Sequence, residues 1–204
     1  MAIINAATKE LQLKIVYYGP GMGGKTTNLA KVHENMQPES NSKAKLTSLA
    51  TGSDRTLFFD FLPVEATTIK GFKTKFQLYT VPGQVIYNAT RQLVLRGVDG
   101  IVFVADSQYE KMGENVESFK NMKDNLKTLK LDIANVPYVL QYNKRDLPNV
   151  APVEYMEYLL NSGSVQVPAF QGCAHKCEGV FETLNMLTRL LLGKYITKNA
   201  PQYA

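Results

Sequence analysis

Apolar residues recur along the chain at two spacings, which predict strands that alternate with helices. Period-two or continuously apolar runs predict six strands, over residues 11–18, 57–64, 72–81, 98–106, 136–143 and 164–170. Helical spacing predicts helices over residues 28–36, 114–129 and 153–160, and a closing helix with Val180, Leu184, Leu187 and Leu191 on one face. Residues 38–44 are polar and are expected to form a loop. The short connection through Gly71 predicts that the second and third strands pair antiparallel.

The order of these elements predicts an α/β fold. Alternating strands and helices favour a mostly parallel sheet, here of six or seven strands, with helices on both faces. The continuously apolar run 98–106 is typical of a parallel strand that is buried on both sides. Residues 1–204 are expected to form one domain with a full core. Ligands of such sheets bind at the carboxyl ends of the strands.

A glycine-rich stretch between the first strand and the first helix fits the phosphate-binding P-loop pattern G-x-x-x-x-G-K-[ST]. It reads Gly19-Pro20-Gly21-Met22-Gly23-Gly24-Lys25-Thr26, and Thr27 follows it. The glycines allow successive backbone N–H groups to face one anion at the start of a helix. Lys25 is expected to contact the terminal phosphates and stabilise the transferring group, and the Thr26 hydroxyl to ligate Mg²⁺. The alternative is a glycine-rich turn that matches by chance.

A second motif, N-K-x-D, follows the fifth predicted strand as Asn143-Lys144-Arg145-Asp146. The Asp146 carboxylate can accept two hydrogen bonds from the N1 and 2-amino groups of guanine. Adenine lacks both donors and would leave the carboxylate unpaired, so the motif favours GTP over ATP. Asn143 is expected to tie neighbouring loops together, and the Lys144 stem to lie along the base. Taken alone, such a tetrapeptide more often marks a helix-starting turn.

Two further segments are candidates for the γ-phosphate side of the site. In the run Val81-Pro82-Gly83-Gln84, the Gly83 N–H can contact the γ-phosphate and Gln84 can orient the attacking water. Before the second strand, the Thr56 hydroxyl can close onto Mg²⁺ and Arg55 can move onto the developing charge of the transition state. The alternatives are a simple Pro-Gly turn with an exposed glutamine, and a surface arginine in a polar loop.

A third loop follows the last predicted strand as Cys173-Ala174-His175. A small residue is needed where the backbone approaches guanine O6, and Ala174 is assigned to this position. His175 is interpreted as a solvated loop histidine on the base side. The two cysteines, Cys173 and Cys177, are too few for a disulfide framework. A C-x₃-C pair could contribute to a metal site, but no second ligand pair accompanies it, so reduced structural thiols are expected.

Composition changes this picture little. Hydrophobic residues make up 45% and charged residues 20% of the chain, as in ordinary globular proteins. The net charge of +5 is spread without a basic run, which indicates a solvated basic surface rather than a specific nucleic-acid partner. No apolar run of membrane-spanning length, signal peptide or lipidation motif is present, so a cytoplasmic location without a transmembrane segment or lipid anchor is expected.

Together these stretches resemble the Ras superfamily of small GTPases. The resemblance is closer still to its MglA family, the bacterial GTPases of cell polarity and gliding motility. It rests on residues 19–29, 54–63 and 78–84. It implies GTP/GDP and Mg²⁺ as ligands, a monomer concentrated at a cell pole when GTP-bound, and polarity and motility effectors. It also implies slow intrinsic hydrolysis that an MglB-like roadblock homodimer accelerates by bringing Arg55 and Gln84 into place.

The chain departs from the common Ras pattern at two places. Most Ras-like proteins have, at the position of Thr80, an aspartate that holds a Mg²⁺-bound water. A threonine at this position is usual in the MglA family. Cys173-Ala174-His175 stands where Ser-Ala-Lys is usual. Three hypotheses follow: a regulatory GTPase, a nucleotide-dependent scaffold that barely hydrolyses GTP, and a P-loop kinase or ATPase, against which Asp146 argues.

Overall fold

Eight strands and five α-helices build the part of the chain that the computed structural model describes, residues 3–5, 8–36, 47–51, 55–69, 72–163 and 165–198. The strands are β1 (Ile3–Asn5), β2 (Glu10–Tyr18), β3 (Thr47–Thr51), β4 (Arg55–Ile69), β5 (Phe72–Thr80), β6 (Gly100–Asp106), β7 (Tyr138–Asn143) and β8 (Ala169–Gln171). The helices are α1 (Lys25–Met36), α2 (Asn88–Leu95), α3 (Met112–Thr128), α4 (Val153–Leu160) and α5 (Val180–Lys198).

The centre of the sheet is parallel. Its strand order is β3-β4-β5-β2-β6-β7-β8, with β1 paired antiparallel to β2. The strands β5, β2, β6, β7 and β8 run parallel to their neighbours. The strands β4 and β3 extend the sheet antiparallel beyond β5. The predicted α/β fold and the antiparallel second and third strands are therefore confirmed, although the sheet has eight strands rather than six or seven.

Each face of the sheet carries its own apolar core. Successive side chains of a strand point to opposite faces, and β2 shows this directly. Tyr18 packs in a buried cluster with residues of α2, α3 and α4. Tyr17 belongs to a second cluster with residues of α1 and α5. The predicted apolar face of α5 lies in this second cluster, so helices cover both faces of the sheet as predicted.

Three elements are absent from the sequence prediction for identifiable reasons. The strands β1 and β3 have only three and five residues, too few to show a clear period. Helix α2 has three buried residues, and one of them is Arg91 rather than an apolar residue. The helix has only eight residues, so its apolar positions do not repeat often enough to mark a helical period.

The last strand differs from its prediction in length. It begins at Ala169, where pairing with β7 starts, instead of at residue 164. Val165 is 75% exposed, and the backbone N–H and carbonyl groups of Val167 bond to the Asn161 side chain rather than to a neighbouring strand. The predicted loop 38–44 and residue 164 lie outside the described residues.

The carboxyl ends of the parallel strands meet at one edge of the sheet. The P-loop follows β2, residues 82–84 follow β5, Asp106 ends β6, Asn143 ends β7, and residues 173–175 follow β8. This edge is where a ligand of such a sheet binds. Among the described ranges, no helix is both long and apolar enough to cross a membrane.

Candidate functional site

The P-loop is shaped by glycines in backbone conformations that other residues rarely adopt. Gly19 has φ +141°, and a Cβ there would lie 2.1 Å from the Val104 carbonyl oxygen. Gly24 has φ +99° and the same lack of space, since a Cβ would lie 2.1 Å from Nδ2 of Asn143. Met22 is a non-glycine residue with positive φ, and its side chain is exposed. The loop is thus packed tightly against β6 and β7.

Lys25 is the first residue of α1, and its charged end turns back over the P-loop. Its Nζ donates to the carbonyl oxygens of Pro20 at 2.6 Å and Gly19 at 3.1 Å. The residue is only 6% exposed. A nearly buried ammonium at the N-terminus of a helix attracts anions.

A cavity of about 830 Å³ opens beside the P-loop, in the size range of small-molecule sites. Lys25, Thr26 and Thr27 of α1 line it, together with Gly83 and Gln84 from the loop after β5. Glu114, Glu117 and Ser118 of α3 also line it. The structure therefore brings the residues assigned to the phosphates and the attacking water into one cavity.

Gly83 lies directly on the P-loop. A Cβ added at Gly83 would come within 2.3 Å of the Gly21 Cα and 2.8 Å of the Pro20 carbonyl oxygen. No side chain fits at Gly83 while this packing is kept.

The carbonyl groups of Pro82 and Gly83 are held from behind by Arg91 of α2, which is fully buried. Its Nε donates to the Pro82 oxygen at 2.8 Å and its Nη2 to the Gly83 oxygen at 2.5 Å. Its Nη1 donates to Oδ1 of Asn121 in α3 at 2.6 Å, and its guanidinium lies over the ring of Tyr18. The loop after β5 is thereby tied to α2, α3 and β2.

Asn143 joins the phosphate side of the site to the loop after β8. Its Nδ2 donates to the Gly23 carbonyl oxygen at 2.9 Å, and its Oδ1 accepts from the Ala174 N–H at 2.9 Å. The side chain is 2% exposed, so both hydrogen bonds lie within the protein. This bridge is the arrangement expected for Asn143 from the sequence.

Lys144 contacts the end of the neighbouring strand. Its Nζ lies 2.6 Å from Oδ2 of Asp106, a fully buried carboxylate. Asn115 of α3 fixes the Asp106 backbone, because its Nδ2 donates to the Asp106 carbonyl oxygen at 2.7 Å. The ion pair holds the Lys144 stem at the carboxyl end of the sheet.

Asp146, Cys173 and His175 come together on the same side. The Cys173 sulfur lies 3.3 Å from Nδ1 of His175, which lies 3.8 Å from Oδ2 of Asp146. A hydrogen bond with the Cys173 thiol holds the pKa of Asp146 below its ordinary value, and the charges of His175 and Lys176 act in the same direction. Burial raises the pKa of the Cys173 thiol, as does its hydrogen bond with Asp146.

Two predicted site residues, Arg55 and Thr56, begin β4 and pair with Thr51 and Ala50 of β3. The structure describes the backbone of these two residues but not their side chains. The strand thus begins two residues earlier than the predicted start at residue 57. Thr80, at the end of β5, is fully buried.

Comparison with known proteins identifies the family. The model of the ADP-ribosylation factor family matches residues 1–191. The chain belongs to this family of Ras-like GTPases. It is 53% identical over 192 residues to "Mutual gliding-motility protein MglA" of Myxococcus xanthus (strain DK1622), which covers 94% of this chain and 96% of that protein. Family membership makes the chain a guanine-nucleotide-binding switch with GTP hydrolase activity.

The residues of this GTPase fit a nucleotide and its Mg²⁺. The nearly buried Lys25 ammonium beside the cavity suits a polyphosphate. Thr26, in the first turn of α1, lines the same cavity with a hydroxyl of the kind that ligates Mg²⁺. When bound, the metal neutralises charge on the phosphates. The chain itself places the positive charge of Lys25 at the wall of this cavity.

Sequence reasoning misses two polar contacts that support this GTPase site. One is Arg91. The other is a reciprocal amide pair between α1 and β7, in which Asn28 and Gln141 exchange hydrogen bonds of 2.8 and 3.0 Å and are both fully buried. The glutamine inside the apolar run of β7 is a signal that could have found this pair.

Proposed function

We propose that this GTPase is a molecular switch that controls bacterial cell polarity and motility. It would convert GTP and water into GDP and phosphate, slowly on its own, as one domain over residues 1–204 and as a monomer. The similarity to a protein named for gliding motility supports the cellular role. Location in the cytoplasm, with concentration at a cell pole in the GTP-bound state, is part of the same proposal.

The observation that carries the proposed site is the Asn143 bridge. It connects Gly23 of the P-loop with Ala174 of the base-side loop, so one side chain sets the spacing between the phosphate and base halves of the site. Asp146 then selects guanine, because its carboxylate pairs with two donors that adenine lacks. The Lys144 side chain lies along the guanine ring. Cys173, Ala174 and His175 surround the O6 edge of the guanine.

On the phosphate side, backbone N–H groups between Gly19 and Thr27 bind the phosphates with Lys25. The hydroxyls of Thr26 and Thr56 hold Mg²⁺. The Gly83 N–H contacts the γ-phosphate, and Gln84 orients the attacking water. The segments 49–63 and 82–98 are then the two switches, because loss of the γ-phosphate releases Thr56 and Gly83 and changes the surface offered to effectors.

An MglB-like roadblock homodimer is the proposed activator. It would bring Arg55 and Gln84 into place, and an arginine that reaches the transition state typically accelerates hydrolysis by about 10³–10⁵. Arg55 is the first residue of β4, which pairs with the edge strand β3, so the proposal places the activator at this edge of the sheet.

Single-turnover phosphate release tests the proposed activity. The chain loaded with GTP and Mg²⁺ is followed alone and with a roadblock homodimer. Slow release alone and strong acceleration by the homodimer are expected. Release that stays negligible in both would favour the second candidate, a GTP-dependent scaffold. Thr80 motivates that candidate, because it removes a carboxylate from the outer shell of the metal.

A further inference from the structure

The base-side loops of this GTPase hold three side chains with the chemistry of transition-metal ligands. Asp146 follows β7, and Cys173 and His175 follow β8. In the described part of the chain they form a group in which one ligand atom from each residue lies within 4.8 Å of the others. The sequence does not suggest such a site, because Asp146 lies far from the two others along the chain and no second ligand pair accompanies Cys173 and Cys177.

Two of the three distances between ligand atoms lie close to those of a tetrahedral site. With zinc–ligand bonds of about 2.0–2.3 Å, neighbouring ligand atoms lie roughly 3.3–3.7 Å apart. The Cys173 sulfur lies 3.3 Å from Nδ1 of His175, and that nitrogen lies 3.8 Å from Oδ2 of Asp146. The His175 side chain is 63% exposed, so a small rotation can complete the geometry without disturbing a core.

Hydrogen bonds hold the turn that carries two of the ligands, Cys173 and His175. Cys173 donates its N–H to the Glu178 carbonyl oxygen at 3.0 Å and accepts from the Glu178 N–H at 3.2 Å. The Ala174 N–H, between the two ligands on this turn, is held by Asn143. A site with ligands on such a closed turn loses little freedom when an ion binds.

We propose that Asp146, Cys173 and His175 bind a divalent ion of the zinc class, and that this ion and guanine exclude one another. A thiolate, an imidazole and a carboxylate suit Zn²⁺ or Co²⁺, whereas Mg²⁺ prefers oxygen ligands. The Cys173 thiol gives up its proton to water when the ion binds. Three protein ligands leave the fourth position to water. The exclusion rests on the proposed function, because it requires that Asp146 also be the acceptor for guanine.

The chain contains its own matched controls, since it has two cysteines and two histidines. Zn²⁺ is titrated by calorimetry into the full-length, nucleotide-free chain in excess Mg²⁺. One ion per chain is expected. Cys173→Ser and His175→Asn should each weaken Zn²⁺ binding by at least about tenfold, whereas Cys177→Ser and His33→Asn should not change it. Because His175 is exposed, its substitution reports on binding even if the buried Cys173 variant folds poorly.

A second arm tests exclusion, with the Zn²⁺ titration repeated in the presence of GTP and of ATP. ATP corrects for chelation by the phosphates, because it binds the free ion similarly. GTP is expected to weaken Zn²⁺ binding at least about tenfold more than ATP does. No Zn²⁺ binding, or equal binding in His175→Asn and wild type, overturns the site. GTP and Zn²⁺ bound together overturn the exclusion. A chain that binds Zn²⁺ but no GTP overturns the proposed function and leaves the metal site standing.

Discussion

The guanidinium of Arg91 donates a 2.5 Å hydrogen bond to the backbone carbonyl oxygen of Gly83. Gly83 in turn packs on Gly21, with no room for a Cβ between them. The fully buried guanidinium of Arg91 thus holds the loop after β5 in contact with the P-loop. The partners of Arg91 in the described residues are neutral groups, so carbonyl dipoles and the Tyr18 ring compensate its charge. Arg91 and the P-loop thus hold Gly83 from opposite sides.

Replacement of Arg91 by lysine should destabilise the protein. A lysine ammonium cannot reproduce the hydrogen bonds that the guanidinium donates to Pro82, Gly83 and Asn121. Buried carbonyl groups are then left without donors. We expect Arg91→Lys to lower the free energy of unfolding by about 2–3 kcal/mol, measured by urea denaturation. The exposed Arg96 at the end of the same helix provides the control, and Arg96→Lys should change stability by less than about 0.5 kcal/mol. Equal stability of the two variants would show that the guanidinium hydrogen bonds of Arg91 contribute nothing to the free energy of unfolding.

A methyl group at Gly83 should separate the loop from the P-loop. The new Cβ would lie 2.3 Å from the Gly21 Cα, so the backbone must move. A displacement near 1 Å in a catalytic group can cost roughly a hundredfold in rate, and we expect Gly83→Ala to lose about that much activator-stimulated phosphate release. Gly113→Ala is the control, because nothing lies within 4 Å of a Cβ there. Normal turnover in Gly83→Ala would contradict the close packing.

Loss of the Asn143 side chain should loosen both halves of the site. Asn143→Ala leaves the Gly23 carbonyl and the Ala174 N–H without their partner. We expect the free energy of unfolding to fall by about 1–3 kcal/mol and nucleotide affinity, measured by calorimetry, to fall at least about tenfold. Asn185 on α5 is exposed, so Asn185→Ala should leave both quantities unchanged. Wild-type affinity in Asn143→Ala would refute the bridge.

Arg55 is expected to act on the transition state and not on ground-state binding. Arg55→Ala should therefore keep its GTP affinity but lose about 10³–10⁵ of the stimulated rate, measured by single-turnover phosphate release with the roadblock homodimer. Arg189→Ala, at an exposed position on α5, should be stimulated normally. Unchanged stimulation in Arg55→Ala would remove the arginine from the mechanism.

The sequence is most informative where the predicted site depends on a local pattern. The P-loop is one continuous stretch, and the glycines it requires are visible in the sequence. Asn143 and Asp146 are predicted from the N-K-x-D pattern at the end of a predicted strand. By contrast, the role of Arg91 depends on packing between α2 and the loop after β5. Helical periodicity treats an arginine as a solvent-facing residue, so no sequence signal marks it as buried.

The grouping of Asp146 with Cys173 and His175 lay beyond the sequence for a different reason. It depends on the parallel pairing of β7 with β8, which brings their following loops together. The strand prediction alone does not specify which strands are neighbours. Contacts between distant segments follow from strand order, and strand order is a property of the fold.

The central claim is that this site selects guanine through Asp146. Calorimetry with GTP and ATP, in Mg²⁺, on wild type and Asp146→Asn tests it most directly. We expect wild type to prefer GTP by roughly 10³ or more, because a site built around these hydrogen bonds rejects a ligand that lacks the donors. The variant should lose most of that preference. Equal affinity of wild type for the two nucleotides would contradict the account.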